Sequence, residues 1–351
     1  MPSLKKLSAR TLLALAQPLL SFFSASFLLL LSPSVTSLKK GYITEMVRTS
    51  PMAEALKHAV LIIGALIVIL PFYVMVSYSL KSPREIETNA GGFFGDQQPM
   101  VDEWCVKANN PSGAVASKAL IKSCTKIPVV FNYTAAFDKA PLVRYLLNGV
   151  FVTASIFLIQ VLVALPCAYA LAKLRFWGRD LVFMLVLFCL LIPVHAIALP
   201  LYIMLSKVGL INSYAALIIP WTISVFGIFL MRQFFMTIPD DLIDAARIDG
   251  MSEFSIVWKV MLPCAVPALL AFAIFSVVAH WNDYFWPRIA ITSDRNYFTP
   301  PLGLRMFKGD SDGDVYGPMM ATATIIVTPL IVAFLLAQRK FIEGITLSGM
   351  K

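Results

Sequence analysis

The chain has 351 residues, of which 58% are hydrophobic and only 14% are charged, and its mean hydropathy is +0.77. Soluble globular proteins carry about 25% charged residues, so this composition excludes an ordinary soluble domain and indicates a protein of the lipid bilayer. The net charge of +9 does not indicate nucleic-acid binding, because the bases are scattered over short segments between apolar runs, as the positive-inside bias predicts. Cysteine and histidine spacing predicts no metal site.

Residues 1–45 form a segment of their own. Three basic residues precede an apolar run at 12–31, which is long enough to span a membrane. No small-residue cleavage pattern closes the run, and if it spanned, the basic residues of every later loop would lie on the wrong side. We interpret it as an N-terminal extension without a transport role: signal-like, an extra helix, or residues upstream of a true start at Met46 or Met52.

Six further apolar runs are each long enough to cross a bilayer, which takes about 20 residues. Prolines inside these runs are tolerated where neighbouring helices satisfy the freed backbone groups. The predicted spans cover residues 58–80, 145–172, 181–205, 214–231, 265–285 and 317–337.

Basic residues in the short loops predict the orientation of these spans. Lys173, Arg175 and Arg179 lie between the second and third spans, and Arg339 and Lys340 follow the sixth. Since such residues are enriched on the cytoplasmic side, we expect both ends of the six-span core to be cytoplasmic. The loop between the fourth and fifth spans is then cytoplasmic too.

The long segment 81–144, between the first and second spans, is predicted to be external. It contains Cys105 and Cys124. In an oxidising compartment these cysteines either pair or remain two free thiols; we predict a disulfide that closes a surface loop.

Residues 239–263, which we call the knob, are a polar island between two apolar runs. Asp240 is predicted to cap a short helix over 240–248, and Gly250 is predicted to end it in the left-handed conformation. Ala245 and Ala246 carry small side chains, which let another protein approach the helix backbone closely.

A second short helix is predicted to open near Ser252 and to end where Pro263 breaks it. This helix is predicted to present an apolar surface made of Phe254, Ile256, Val257 and Trp258. Two small helices joined at a glycine and held by flanking spans are typical of a docking surface.

The knob resembles the "EAA" loop of bacterial ABC-importer permeases. Asp-Ala-Ala-Arg-Ile-Asp-Gly at 244–250, nine further residues and then Val-Met-Leu-Pro at 260–263 follow that pattern. Asp244 stands for the family's Glu and Val260 for its Ile, and both keep charge or shape. In that family the loop sits in a cleft of a cytoplasmic ATPase. The resemblance implies this coupling role for Asp244, Ala245, Ala246, Asp249, Gly250, Leu262 and Pro263.

Other short runs follow the order found in the maltose-type carbohydrate permeases. They include Ala-Tyr-Ala at 168–170, Leu-Arg-Phe at 174–176, Trp-Asn-Asp-Tyr at 281–284 and Pro-Leu-Gly-Leu at 301–304. The resemblance implies an all-α polytopic membrane protein with the six-helix core of a type I ABC importer permease over residues 58–351. The extra N-terminal apolar segment and an external insertion at about 91–127 depart from the family pattern.

The resemblance also implies the function and the partners. The chain is expected to be a permease subunit of the bacterial inner membrane that forms half of the path for a sugar, with glycerol phosphate or a related polyol as the alternative solute. Its expected partners are a second, non-identical permease, two ATPase subunits, an external solute-binding protein and membrane lipid. The sequence lacks a Walker A run, so we expect this chain to bind no cofactor and ATP to be held by the partner subunits.

Two function classes are set aside. An intramembrane enzyme needs paired ionisable groups within the spans, and a secondary transporter needs intramembrane carboxylates for ion coupling. We interpret His195 and Asp283 as single groups without a catalytic or ion-coupling partner, which favours neither class.

The translocation path has four candidate residues. Trp281, Asn282 and Asp283 suit a sugar, but Asp283 would lie ~27 Å along the fifth span, near the outer interface, where an aromatic anchor fits equally well. We predict that Ser276 and Thr328, at mid-depth, line the path and that Asn282 and Asp283 shape its outer mouth. The alternative for the two hydroxyls is a hydrogen bond to their own helix backbone.

Overall fold

The structure is a computed structural model and describes residues 51–88, 92–110, 116–307 and 316–348. The predicted extension at 1–45 lies outside these residues. The described residues fall into two units, 51–65 with 345–348, and the described part of 66–344. The second unit contains all the features described below, except the first part of the first helix and the end of the last one.

Helices account for nearly all of the described secondary structure. The long and medium helices are α1 (Pro51–Ser79), α5 (Pro128–Lys139), α6 (Leu142–Lys173), α7 (Arg179–Leu190), α8 (Val194–Lys207), α10 (Val225–Phe235), α11 (Asp240–Ile248), α14 (Val266–Trp281) and α17 (Tyr316–Ser348). The shorter ones are α2 (Pro83–Thr88), α3 (Glu103–Asn109), α4 (Lys118–Ser123), α9 (Tyr214–Ile218), α12 (Glu253–Ile256), α13 (Leu262–Cys264), α15 (Phe285–Ala290) and α16 (Pro300–Gly303).

The six predicted spans all have helical counterparts. Four described helices are long and apolar enough to cross a membrane: Glu54–Ser79, Leu142–Lys173, Tyr214–Phe235 and Tyr316–Gln338. Two further pairs pass the same test but are bent, Arg179–Leu190 with Val194–Lys207 by 98° and Glu253–Cys264 with Val266–Trp281 by 87°. The all-α polytopic fold with up to six spans is therefore confirmed.

The third predicted span, 181–205, is not one continuous helix. It consists of α7 and α8, which meet at 98°. Pro193 supplies the physical reason, because it has no N–H to continue a helix and keeps the residue before it out of the helical region. Pro193 itself is extended, with ψ 125°, and α8 begins immediately after it.

The fifth predicted span, 265–285, is shorter than expected at its far end. Its helix α14 stops at Trp281, and a separate short helix, α15, follows from Phe285. The fourth, 214–231, contains the 3₁₀ turn Ile219–Trp221 around Pro220 before α10, which continues to Phe235.

Helix α6 is the centre of the described bundle and packs against α10 and α14. Leu165, Ala168 and Tyr169 of α6 belong to the buried cluster below the knob.

Two glycines allow neighbouring elements of the bundle to pack unusually closely. A Cβ at Gly149 would lie 2.6 Å from Pro300, and a Cβ at Gly227 would lie 2.3 Å from Phe272. Both distances are shorter than any ordinary carbon contact, so the neighbouring elements can pack this tightly only because these positions have no side chain.

The segment between the first and second spans, predicted to be external, contains a small folded unit. Strands β1 (Met100–Val101) and β2 (Thr125–Lys126) pair antiparallel. Asp102 accepts a hydrogen bond from the Cys105 amide at 3.0 Å, which caps α3, and forms an ion pair with Lys126 at 3.2 Å. A disulfide joins Cys105 to Cys124, whose Cα atoms are 5.6 Å apart.

We predict that this disulfide is present in the protein purified from an oxidising compartment. Iodoacetamide should modify Cys105 and Cys124 only after reduction, because neither sulfur is a free thiol while the disulfide is intact. Exposed Cys264 is the internal control and should react before reduction. Peptide mass spectrometry after non-reducing digestion makes the measurement, and modification of Cys105 before reduction would contradict the pairing.

Candidate coupling site and translocation path

The first half of the knob is a helix with a defined end. Met251 N–H bonds the carbonyl of Ala246 and Gly250 N–H bonds that of Arg247, both at 3.0 Å. This pair of bonds is the Schellman motif, which requires a left-handed residue after the helix. Gly250 fills that position with φ +76°, as predicted.

The prediction that Asp240 caps this helix is wrong. The helix α11 begins at Asp240 itself, and the preceding cap residue, Pro239, makes no side-chain bond. The Asp240 carboxylate is instead 2.6 Å from the Lys173 ammonium. The largely buried ammonium binds this carboxylate more strongly than a backbone N–H of α11 would, because charge-assisted hydrogen bonds are the stronger kind.

The two alanines of α11 face opposite ways. Ala245 is exposed, but Ala246 is only 6% exposed and packs within the chain's own core. The close-approach argument therefore fails for Ala246 and applies to Ala245 alone. Asp244, Asp249 and Gly250 are all exposed.

The second half of the knob differs from the prediction in two ways. Ile256 and Val257 are buried, so Phe254, which is 64% exposed, carries most of the apolar surface there. Pro263 does not break the helix, which passes through the π turn Val257–Met261 and then α13. The bend lies beyond it, at Ala265. In the π turn the Leu262 N–H bonds the carbonyl of Val257, five residues before it. The chain has therefore already left the α-helical hydrogen-bond pattern when it reaches Pro263.

Ion pairs hold the two halves of the knob together. The Arg247 guanidinium lies 2.8 Å from Glu253 Oε1 and 3.0 Å from Asp244 Oδ1. Hydrogen bonding to Glu253 raises the pKa of Arg247 above its ordinary value. Glu253 also accepts a hydrogen bond from the Tyr169 hydroxyl of α6.

A second contact joins α6 to the knob. Lys173 donates to the Ile238 carbonyl and to Asp240 Oδ1, and its side chain is only 8% exposed. The hydrogen bond from Lys173 lowers the pKa of the Asp240 carboxyl. This contact places the basic loop after the second span and the knob on the same side of the bundle.

An apolar cluster lies beneath these polar contacts. It is made by the inner faces of α6, α10 and the knob, and its fully buried members include Leu165, Met231, Ile243, Ile256 and Met261. The same cluster holds Ala246. The knob is thus packed on the bundle and is not a free loop.

Ser276 lies in a buried polar cluster between spans. Its hydroxyl donates to Gln160 Oε1 at 2.6 Å, and Gln160 Nε2 donates to the Trp221 carbonyl at 2.7 Å. His280 Nε2 lies 3.2 Å from the same amide nitrogen. The Ser276 hydroxyl therefore bonds a neighbouring helix and not its own backbone. Its predicted place on the path remains a prediction.

The other three path candidates make local contacts. Thr328 is exposed, and its hydroxyl donates to Thr324 O at 2.7 Å. This bond to its own helix backbone is the alternative stated above for the two hydroxyls. Asn282 is exposed and donates to Val278 O, while Asp283 accepts from the Trp286 amide at 3.2 Å. Asp283 thus orders the start of α15.

Trp281 is not available for stacking on a sugar or for an aromatic belt. Its side chain is 5% exposed, and its indole N–H donates to Ile326 O at 3.1 Å, which links α14 to α17. Trp286 is also buried, at 2% exposure, and its indole bonds Ala216 O. Within the described residues, no group of three or more His, Cys, Asp or Glu side chains is placed to hold a metal ion.

Sequence reasoning missed the residues that position the knob. Tyr169 and Lys173 stand four residues apart at the end of an apolar run, a spacing that puts both on one helix face. Gln160 is an amide at mid-depth of a predicted span, and a polar residue at that depth faces the protein interior as a rule. Both signals are present in the sequence, but neither identifies the partner residue.

The chain is similar to membrane components of bacterial transport systems. A model of the family described as "Binding-protein-dependent transport system inner membrane component" matches residues 160–346. The arabinooligosaccharides transport system permease protein AraQ of Halalkalibacterium halodurans is 36% identical, over 58% of this chain and 72% of that protein. The sn-glycerol-3-phosphate transport system permease protein UgpE of Yersinia pestis is 30% identical, over 82% of this chain and 94% of that protein.

A third relative and one solved structure extend the comparison. The diacetylchitobiose uptake system permease protein NgcG of Streptomyces coelicolor is 28% identical, over 83% of this chain and 87% of that protein. A chain of a bacterial ABC transporter involved in the import of the acidic polysaccharide alginate superimposes with a TM-score of 0.66, at 20% identity, over 84% of this chain and 98% of that one. This likeness shows the fold.

The opposite orientation of the two alanines is testable. Ala246→Glu should lower the free energy of unfolding by about 3 kcal/mol or more, because it places an unpaired carboxylate in the apolar cluster. Ala245→Glu, the matched control, should change the same free energy by less than about 0.5 kcal/mol, since its side chain enters solvent. Thermal unfolding of the purified protein in detergent makes the comparison, and equal losses would contradict the assignment.

Proposed function

Since the chain belongs to the family of inner membrane components of binding-protein-dependent transport systems, we propose that it forms half of the translocation path for a sugar in an ATP-driven importer. It is a multi-pass membrane protein and not an enzyme. In this proposal its coupling to ATP hydrolysis runs through residues 240–263, with Ala245, Asp249 and Gly250 at the contact and Leu262 and Pro263 behind it.

The exposed surface of the knob carries the coupling proposal. Ile248 is 87% exposed and Phe254 is 64% exposed, although both are large apolar side chains next to a well-packed core. Ala245 lies on the same open side of α11. Apolar side chains presented by a rigid element are typical of a surface that another protein covers.

The proposal includes the partners. Two cytoplasmic ATPase subunits bind ATP, a second, non-identical permease completes the path, and a solute-binding protein delivers the solute from outside. The family description names dependence on a binding protein, and the absence of a Walker A run from this sequence supports ATP binding by partner subunits alone.

The proposed orientation has both ends of the six-span core and the knob in the cytoplasm. The contact between Lys173 and Asp240 supports a common side for the knob and the basic loop at 173–179. Since short basic loops are cytoplasmic as a rule, the knob is then on the side where ATP is available.

The solute proposal is a sugar, with glycerol phosphate as the second candidate. Two of the three relatives described above are named for oligosaccharides. The third is named for sn-glycerol-3-phosphate and matches over 82% of this chain, which keeps a phosphorylated polyol in consideration.

The coupling role is tested at Gly250. Gly250→Val should leave the protein in the membrane and reduce uptake at least about tenfold, because a β-branched residue resists positive φ by about 1–2 kcal/mol and distorts the turn between the two halves. Gly209→Val is the matched control, since Gly209 also has positive φ, +72°, and open space around its Cβ position.

Uptake and solute-stimulated ATP hydrolysis are measured together in proteoliposomes that contain the complete importer. The coupling assignment predicts loss of both for Gly250→Val and retention of both for Gly209→Val. Wild-type uptake with wild-type stimulation in Gly250→Val would show that the knob is not the coupling site.

The solute is tested at the external binding protein that works with this chain. We expect isothermal titration to give tight binding of an oligosaccharide and no heat with sn-glycerol 3-phosphate, because a site that hydrogen-bonds neutral hydroxyls leaves a phosphate dianion uncompensated. The reverse pattern would transfer the proposal to glycerol phosphate without affecting the coupling assignment.

A further inference from the structure

Resting on the proposed function, we propose that Tyr169 and Lys173 are the positioning residues that connect the knob to α6 and make this helix move with it. Neither residue belongs to the knob. They lie one turn apart at the end of α6, so both side chains project from the same face of the helix.

Each residue holds a different half of the knob. Lys173 bonds Asp240, the first residue of α11, and the carbonyl of Ile238 before it. Tyr169 bonds Glu253, the first residue of α12. Because the two contacts are made by one helix face, α6 cannot tilt away from either half of the knob without breaking a hydrogen bond.

Arg247 joins the two halves of the knob to each other. It pairs with Asp244 in the first half and Glu253 in the second, and Glu253 is the acceptor for Tyr169. A displacement imposed on the exposed side of α11 therefore reaches the Tyr169 hydroxyl through charge-assisted bonds, which are the stronger kind. Tyr169, the donor of this bond, is itself only 2% exposed.

The same helix carries the displacement into the spans. Gln160 lies nine residues before Tyr169, or about 14 Å along the axis. Its side-chain amide holds Ser276 of α14 and the Trp221 carbonyl next to α10, the two neighbours on which α6 packs. Helix α6 is thus tied by hydrogen bonds both at the knob and in the interior of the bundle.

Tyr169→Phe tests the proposal because it removes the hydroxyl and keeps the packed ring. In the complete importer, reconstituted in proteoliposomes, we expect about a tenfold fall in solute transported per ATP hydrolysed, the scale of losing one hydrogen bond to a charged acceptor. Tyr145→Phe is the matched control. Tyr145 lies on the same helix and is buried, and its hydroxyl has no hydrogen-bond partner within the described residues.

A double substitution separates positioning from general damage. In a Glu253→Gln background, which keeps the shape of the acceptor but removes its charge, Tyr169→Phe should reduce the transport per ATP by clearly less than tenfold. Equal effects of Tyr169→Phe in both backgrounds, an unchanged ratio in Tyr169→Phe, or an equal loss in Tyr145→Phe would each overturn the proposal.

Two further outcomes are distinguishable. If Gly250→Val uncouples transport and Tyr169→Phe does not, the proposed function stands and this inference falls; if neither uncouples, the knob assignment itself falls. Should Tyr169→Phe fail to assemble, Lys173→Gln replaces it, since that change removes the charge of the second contact alone, and wild-type transport per ATP in that variant overturns the proposal.

Discussion

Buried polar side chains on α6 determine how the rest of the described bundle is arranged. A bilayer offers no water to compensate an unpaired amide or hydroxyl, so burying such a group without a partner inside the protein costs free energy. Asn148 donates to Asn296 O and Phe298 O at 2.7 and 2.9 Å and accepts from the Tyr214 hydroxyl at 2.7 Å. Gln160 and Tyr169 bind other elements farther along the same helix. The hydrogen-bond partners of Asn148, Gln160 and Tyr169 thus fix which loop, which span and which part of the knob lies beside each section of α6.

The broken spans follow from the same backbone constraint. A helix that ends within the bilayer leaves carbonyls without partners, which is tolerated where neighbouring protein satisfies them. Arg232 satisfies a carbonyl at the end of the unbroken helix α6: its Nε donates to Leu171 O at 3.2 Å, and its guanidinium lies 3.7 Å from the centroid of the Phe183 ring. The side chain thereby links α10 with both α6 and α7, which helps to position the short first part of the broken third span.

The sequence predicted the helical class, the spans and the turn at Gly250, because long apolar runs and a left-handed glycine are local signals. The bend at Pro193 was not predicted, although the proline was visible, because a proline in a span either kinks or ends the helix according to the neighbouring contacts.

The burial of Ala246 was also missed because it depends on tertiary contacts. Ala245 and Ala246 are adjacent and chemically identical, and only the packing of α11 on Ile256 and Met261 decides which one faces inward. The Tyr169–Glu253 bond joins residues 84 positions apart, and no local pattern contains that information.

The charges of the knob bear on how it recognises a partner. Asp244 and Glu253 share the single positive charge of Arg247, and Asp240 pairs with Lys173. A partner that covers this surface has one net negative charge to compensate in these three carboxylates and their two cations. The exposed apolar side chains of Ile248 and Phe254 are then the groups that gain most from being covered, at about 25 cal/mol for each Å² removed from water. On the proposed function, the ion pairs set the shape of the knob and the apolar residues supply the affinity, which separates the residues that hold the coupling surface from those that make the contact.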